Sequence, residues 1–252
     1  MIRKIIPESS IDYKGKFCSI IFISGCNFRC GFCHNPELIS NSEIPDSEKE
    51  DIAKKIEDII LKAKKGWING VCITGGEPCL YPDLENLCKK LKELNLAVKI
   101  DTNGTNPKII KDLLDKKLID YVALDIKSDM ENYEKMVNSN VDLKKIEETI
   151  RILANLDKDR FELRTTIAPF FANELRFLNL SEIEKMAKWV SDLIKRKDVY
   201  YYIQKFVSRD KDILDERLRK DNIPKDMVET PQDLLIEIEK LLKGYFDYVE
   251  VR

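Results

Sequence analysis

Three cysteines, Cys26, Cys30 and Cys33, stand within the stretch Gly25-Cys26-Asn27-Phe28-Arg29-Cys30-Gly31-Phe32-Cys33-His34-Asn35-Pro36. Thiolates crowded on one loop bind a soft metal, either zinc or the iron of an iron–sulfur cluster. A structural zinc site needs four ligands, and these three cysteines with His34 could nominally supply them. Cys33 and His34 are adjacent, however, which makes it hard for both side chains to face one ion. The loop also opens with CxxxC rather than the paired CxxC of many zinc loops. Iron–sulfur clusters usually take four cysteines, and the loop offers three. Of the remaining thiols, Cys18, Cys72 and Cys88 fall where strands and a helix face read as core, and free cysteine behaves there as a small apolar residue. Cys79, just after Glu77-Pro78, is the rival ligand, although nothing in the spacing requires it. The economical reading is one four-iron four-sulfur cluster with one iron left open for an outside ligand.

The loop must be positioned by what precedes it. Phe17 to Ile23 is a short apolar run rich in β-branched and aromatic residues, and Ser24-Gly25 ends it, so it reads as a buried strand. Asp46-Ser47-Glu48-Lys49 then opens a helix with apolar residues at helical spacing, closed by Lys64-Lys65-Gly66. Further strands are expected at Gly70–Thr74, Ala97–Ile100, Tyr121–Leu124, Phe161–Ile167 and Tyr200–Phe206. Helices are expected between them, one starting at Pro107 and another carrying Leu143, Ile146, Ile150 and Leu153. Ser181 with Glu184 reads as a capping box for the helix before the sixth strand. Residues 208–228 read as loop or irregular helix, Thr230-Pro231 as the cap of a last helix through Leu242, and Tyr245–Val251 as a terminal strand. Strands alternating with helices predict an α/β fold with parallel strands and right-handed crossovers. No GxGxxG follows the first strand, which removes the dinucleotide-binding reading. The expectation is a single domain over 1–252: a partial (β/α) barrel of about six βα units at about 17–207, with 208–252 as a C-terminal extension. In such folds the chemistry lies at the carboxyl ends of the strands.

Composition narrows the function classes. The net charge of −2 is made of intermixed signs, not the one-signed stripe that phosphate neutralisation requires, so no nucleic-acid partner is expected. No run approaches a membrane span or a signal-peptide core, so the expectation is a cytoplasmic protein with no membrane partner. The odd count of seven cysteines argues against a disulfide framework and for a reducing compartment.

Taken together, the motifs carry a family resemblance. Cys26-x-x-x-Cys30-x-aromatic-Cys33 resembles the signature of the radical S-adenosylmethionine enzymes, and Gly75-Gly76-Glu77-Pro78 resembles their glycine-rich motif. Cys33-His34-Asn35-Pro36, Asp101-Thr102-Asn103-Gly104, Asp125-Ile126-Lys127 and Phe161 to Thr166 resemble the glycyl-radical enzyme activating branch. The nearest resemblance is to activating proteins of anaerobic ribonucleoside-triphosphate reductase, and it runs from about residue 10 to Phe206. This implies a cluster held by Cys26, Cys30 and Cys33, whose open iron is chelated by S-adenosylmethionine. It also implies reductive cleavage to a 5′-deoxyadenosyl radical and abstraction of hydrogen from a glycine of a partner enzyme. Phe32, Cys33 and His34 would meet the adenine edge through their backbone. Gly75 and Gly76 would approach the methionyl end, with Glu77 near its ammonium. Asp101, Asn103, Asp125, Ile126 and Lys127 would surround the ribose and carboxylate, an area that can hold a monovalent cation. Arg164 is a candidate for the carboxylate and Gln204 for the adenosyl group. A ferredoxin or flavodoxin would supply the electron. Gln204-Lys205-Phe206-Val207 lacks the histidine that some activating enzymes carry there, which fits the reductase-type branch better than the pyruvate formate-lyase type. No second tight cysteine set exists, so one cluster is expected.

Plainer readings stand beside these. Asp101 to Gly104 is also an ordinary strand-to-helix turn. Asp125 with Lys127 or Arg164 could be a structural ion pair. His34 reads first as a hydrogen-bonding loop residue. Tyr200 to Tyr202 read as core and rim, and Phe170-Phe171 as packing or as an entrance for a partner's loop. Two other functions compete: radical chemistry on a small molecule, as in modified-base or cofactor synthesis, and a non-enzymatic electron carrier or metal-binding module. A small carrier would not need six βα units, and a zinc module leaves Gly75-Gly76-Glu77-Pro78 without a purpose.

Overall fold

The computed structural model of the protein describes residues 1–209 and 213–252. Its chain divides into two compact units, each gathering three separate stretches: Met1–Asn27, Glu37–Thr102 and Lys108–Ala123 in the first, and Phe28–Pro36, Asn103–Pro107 and Leu124–Arg252 in the second.

In the first unit the elements are β1 (Ile2–Ser9), β2 (Cys18–Ile23), α1 (Asp46–Lys64), β3 (Gly70–Gly75), α2 (Leu84–Glu93), β4 (Ala97–Thr102), α3 (Pro107–Asp115) and most of β5 (Tyr121–Asp125). β2 is buried along nearly its whole length and pairs in parallel with β3, from Cys18 opposite Gly70 to Ile23 opposite Gly75. β3 pairs in parallel with β4. Strands buried on both faces read as continuous apolar runs, which is why these three are recognisable in the sequence.

β1 is not among the expected strands. It lies antiparallel to β2 with two irregularities in register. Pro7 sits within it, and proline is tolerated on an edge strand because it has no ladder donor to lose. The second irregularity spans Ile6 to Ser9, and there the Ser19 hydroxyl donates to the Pro7 carbonyl at 2.7 Å. As expected, Cys18, Cys72 and Cys88 are all core residues of this unit.

The second unit continues with α4 (Tyr133–Val137), α5 (Leu143–Ala154), β6 (Phe161–Ile167), β7 (Phe170–Phe171), β8 (Leu175–Arg176), α6 (Leu180–Ile194), β9 (Tyr200–Lys205), α7 (Gln232–Leu242) and β10 (Tyr248–Val251). β6 pairs in parallel with β9, and β9 with β10. The rings of Tyr200 and Tyr248 meet at 4.8 Å across that last pair, while Tyr201 and Tyr202 are fully buried. β7 and β8 form a small antiparallel hairpin of their own.

Two capping expectations are corrected. The capping box of α6 is Asn179 with Glu182, not Ser181 with Glu184. Asn179 accepts from the Glu182 N–H at 3.0 Å and Glu182 accepts from the Asn179 N–H at 2.8 Å. Both pairs have the right spacing, and the buried Leu178 and Ile183 at the staple positions favour the earlier start. Thr230 does not cap α7. Its hydroxyl donates to the Ile167 carbonyl at 2.7 Å and accepts from the Phe206 N–H at 2.8 Å. A buried threonine thus satisfies main-chain groups at the ends of β6 and β9, where no ladder partner continues. Of the 208–228 segment, the described part contains two single turns, Glu216–Leu218 and Lys225–Met227, while residues 210–212 of it lie outside the described residues.

The strand order of the main sheet is β1-β2-β3-β4-β5-β6-β9-β10. It is a mostly parallel sheet with flanking helices and a C-terminal extension, the architecture of a partial (β/α) barrel.

Candidate active site

In the first unit the site residues are set by main-chain packing around the ends of β2 and β3. Gly25 donates to the Leu38 carbonyl at 2.7 Å and Cys26 to the Ile39 carbonyl at 3.1 Å, which fixes the start of the cysteine loop. Gly76 donates to the Ile23 carbonyl at 2.8 Å and Glu77 to the Gly25 carbonyl at 2.7 Å. The two glycines have a steric reason to be glycine. Gly75 has φ +120°, and a Cβ there would lie 2.4 Å from the Ile23 carbonyl oxygen. A Cβ on Gly76 would lie 2.3 Å from the Gly25 carbonyl oxygen. Adjacent main chains therefore approach more closely than any side chain allows.

Glu77 is 1% exposed, and its Oε1 accepts from the Cys79 N–H at 3.0 Å and from the Thr102 hydroxyl at 2.7 Å. Cys79 is buried against Thr102, 3.6 Å from sulfur to oxygen. Asp101, at the end of β4, pairs with Lys99 at 3.2 Å, and the Lys99 ammonium also donates to the Asp12 carbonyl at 2.6 Å.

In the second unit the rest of the cysteine loop is held at several points. The Phe28 ring meets Tyr133 edge-on at 6.4 Å, and Arg29 donates to the Val137 carbonyl at 2.9 Å. Cys33 donates to the Cys30 carbonyl at 3.0 Å, closing a turn that carries Phe32. His34 stacks on Phe206 with centroids 5.8 Å apart, and its Nε2 lies 3.0 Å from the Val207 carbonyl oxygen. A carbonyl can only accept, so Nε2 carries the proton in this contact.

Beside the loop is a charged group. Asp125 receives Arg164 Nε at 2.8 Å on one oxygen and Lys127 Nζ at 3.1 Å on the other. Burial alone would raise the Asp125 pKa, but the two cations outweigh it and hold the carboxyl at about 2. Burial would likewise lower the Lys127 pKa, yet Asp125 and the nearby Cys30 thiol raise it, so the ammonium keeps its proton. Lys127 Nζ lies 5.9 Å from the Phe32 ring centroid. Ile126 is fixed through its backbone, donating to the Arg164 carbonyl at 2.8 Å and accepting from the Thr165 hydroxyl at 2.8 Å.

Asn103 makes the turn that its residue type suggests, accepting from the Thr105 N–H at 3.1 Å and hydroxyl at 2.7 Å. Gln204 accepts from the Thr166 hydroxyl at 3.1 Å. Thus Phe32, Asp125, Lys127 and Arg164 are brought together in one unit, and Gly25, Gly75, Gly76 and Glu77 in the other. Two features here carry little trace in the sequence. Tyr133 accepts from the Lys127 N–H at 3.4 Å, and residues 213–218 run against the cysteine loop.

The profile of the Radical SAM superfamily matches residues 20–190. The chain belongs to the radical SAM superfamily. A Methanocaldococcus jannaschii protein named for glycyl-radical enzyme activation is 34% identical over 100% of this chain and 95% of its own length. A second protein of that organism with the same designation is 30% identical over 80% of this chain and 72% of its own. Among solved structures, Streptococcus suis SuiB bound to S-adenosylmethionine superposes with a TM-score of 0.60 at 16% identity, covering 92% of this chain and 51% of that one. That likeness is one of fold.

Radical SAM proteins are radical-generating enzymes of oxidoreductase type. As a family they bind a four-iron four-sulfur cluster and S-adenosylmethionine, and they cleave the latter to a 5′-deoxyadenosyl radical. Among the described residues no three His, Cys, Asp or Glu side chains are gathered as a metal group, so the fit to a cluster rests on the chemistry of the thiols. Cys26, Cys30 and Cys33 are partly exposed and not in disulfides, while the other four cysteines are buried. Burial pushes the Cys18 thiol up to about 11 and the Cys88 thiol up to about 12, and it raises Cys79 well above the ordinary range. Thiolate is the form that binds iron, so the loop trio is the donor set suited to it. Among the described residues no helix is long and apolar enough to cross a membrane.

Proposed function

We propose that this radical SAM enzyme is a glycyl-radical activating enzyme, one that abstracts hydrogen from a glycine of a large partner. The observation that carries this reading is the similarity, over essentially the whole of both chains, to the M. jannaschii protein named for that activity. The partner proposed is an anaerobic ribonucleoside-triphosphate reductase, following the motifs quoted above. A ferredoxin or flavodoxin is the proposed electron donor, and the cytoplasm the proposed compartment.

Cys26, Cys30 and Cys33 would hold one cluster with one open iron. When bound, the cluster and S-adenosylmethionine together supply one-electron chemistry that no side chain offers. The protein's part is position and charge. Gly75 and Gly76 leave main chain, not side chain, at the surface offered to the methionyl end. Glu77 braces that turn through Cys79 and Thr102 and adds negative charge near an ammonium. The backbone of Phe32, Cys33 and His34 is offered to the adenine edge, and the His34 stack on Phe206 fixes its direction. Asp125 aims Arg164 and Lys127 as a pre-oriented pair of cations, suited to a carboxylate. Asp101, Asn103, Asp125 and Ile126 complete the ribose surroundings and could hold a monovalent cation. Gln204 is assigned to the adenosyl group.

The test is anaerobic reconstitution followed by reduction in the presence of S-adenosylmethionine. The expected products are methionine and 5′-deoxyadenosine. Full iron content without either product contradicts the reading. Addition of the candidate reductase should then give a glycyl-radical signal in electron paramagnetic resonance. Cofactor cleavage with no such signal on any glycyl-radical enzyme would favour a small-molecule substrate instead.

A further inference from the structure

We propose that residues 213–218 form a clamp that sets the conformation of the cysteine loop, with the backbone N–H of Asp215 as its positioning donor. The proposal rests on the reading that Cys26, Cys30 and Cys33 hold the cluster. Leu214 donates its N–H to the Cys33 carbonyl at 3.1 Å, and Asp215 donates its own to the Gly31 carbonyl at 3.0 Å. The two bonds bracket Phe32 and fall within the turn closed by Cys30 and Cys33.

Gly31 is fitted to this contact. Its φ is not positive, so its backbone suits any residue, yet a Cβ there would stand 3.3 Å from the Asp215 Cβ and 3.4 Å from Leu218 Cδ1. Glycine at 31 therefore serves the approach of the clamp and not the shape of the loop. Gly31 and Phe32 also line a cavity of about 250 Å³ together with Asp215, Arg217 and Leu218 of the clamp, so the loop and the clamp meet at its wall.

The clamp is itself braced. Asp215 accepts from the Arg217 N–H at 3.0 Å and from its guanidinium at 3.0 and 2.6 Å. That guanidinium lies 3.6 Å from the Phe171 ring centroid. Leu218 is buried, its carbonyl accepting from the Ser208 hydroxyl at 2.6 Å, and Ile213 is fully buried with its carbonyl accepting from Arg219 at 3.1 Å. Hydrogen bonds and peptide dipoles around the ligands of an iron–sulfur cluster tune its reduction potential, as outer partners tune other metal sites. A clamp on the carbonyls of Gly31 and Cys33 thereby acts on the cluster without touching it.

The test uses the full-length protein with and without cluster. In cluster-free protein, amide hydrogen exchange over residues 28–35 is compared for the parent, Asp215→Pro, Asp215→Asn and Glu216→Pro. Residue 215 has φ −81°, which proline accepts, so Asp215→Pro deletes the donor to Gly31. Asp215→Asn keeps that N–H. Glu216→Pro occupies the first position of the 216–218 turn, where proline is tolerated. Exchange is expected to rise up to about tenfold, the weight of one hydrogen bond, in Asp215→Pro and not in Asp215→Asn or Glu216→Pro.

After reconstitution Asp215→Pro should hold as much iron as the parent. Its reduced cluster should show a shifted midpoint potential and an altered resonance spectrum, and Gly31→Ala should move both readouts too. Parent-like exchange in Asp215→Pro, or equal exchange in Glu216→Pro, overturns the clamp. If Asp215→Pro does not fold, Gly31→Ala decides, and parent-like exchange there overturns it. Exchange is read without the cluster, so a parent that takes up no iron while the exchange pattern holds would count against the cluster assignment, not the clamp.

Discussion

The two units hold their site residues by different physics. In the first, Gly25, Gly75, Gly76 and Glu77 are fixed by main chains that approach within the radius of a methyl group and by neutral donors onto one buried carboxylate. In the second, Asp125, Lys127 and Arg164 are fixed by charge, one carboxylate between two cations. Steric fixation is insensitive to pH and salt and fails abruptly when an atom is added. Electrostatic fixation depends on protonation and is lost in proportion to the charge removed.

The sharpest way to break the comparison is to add one carbon to the first unit. In Gly76→Ala the new Cβ meets a main-chain oxygen at 2.3 Å, which no rotamer can relieve. The expected cost is about 3 kcal/mol, measured by urea unfolding, with the same value in low and high salt. The corresponding change in the second unit is Arg164→Met, which keeps the apolar stem and leaves Asp125 with Lys127 alone. Because Asp125 keeps the Lys127 ammonium as a partner, the expected loss is smaller, about 2 kcal/mol. Equal losses with equal salt dependence would mean that the two units are not held differently after all.

The sequence signals divide along similar lines. The parallel strands β2 to β5 were legible as largely apolar runs cut off by glycine or aspartate, β6 and β9 by their β-branched and aromatic residues, and β2 begins only one residue later than expected. The cysteine loop and the Gly75-Gly76 pair were legible as residue types at short spacing. β1 was not, since Pro7 and the lack of alternation hide a strand that needs only one edge partner. The α6 cap was ambiguous because Asn179/Glu182 and Ser181/Glu184 satisfy the same spacing rule. Thr230 looked like a cap because that is the local use of threonine, and its actual partners are 24 and 63 residues away. The clamp at Leu214 and Asp215 works through backbone N–H groups, which every residue but proline carries, so only Gly31 leaves a trace of it.

The second unit makes a sharper claim when protons are counted. Asp125 takes up its proton near the usual value of 3.8 in the unfolded chain and at about 2 in the folded one. Its contribution is therefore complete above about pH 4 and is lost as the pH falls from there through 2. It amounts to about 2 kcal/mol, from 1.36 kcal/mol per unit of pKa. Urea titrations between pH 2 and 5 on the parent and on Arg164→Met should show this slope in the parent and a reduced one in the variant. Identical slopes would place the acid sensitivity elsewhere.

The smallest expected effect isolates burial from charge. Glu85 repeats the arrangement of Asp125 on an exposed surface, with Lys116 and Lys89 each at 2.7 Å. Hydrogen bonds from those lysines draw its carboxyl down to about 2, as low as that of Asp125. The geometry is shared and the surroundings are not. At about 1 M salt the screening length falls to about 3 Å, which reaches exposed pairs and not enclosed ones. Side-chain carboxyl titration by nuclear magnetic resonance should then show Glu85 returning toward the ordinary carboxylate range while Asp125 stays low. Lys116→Ala should leave the unfolding midpoint where it was, since exposed pairs add little to stability. If salt releases both carboxyls together, the Asp125 group is a surface ion pair in energetic terms, and its proposed part in orienting Arg164 and Lys127 loses its basis.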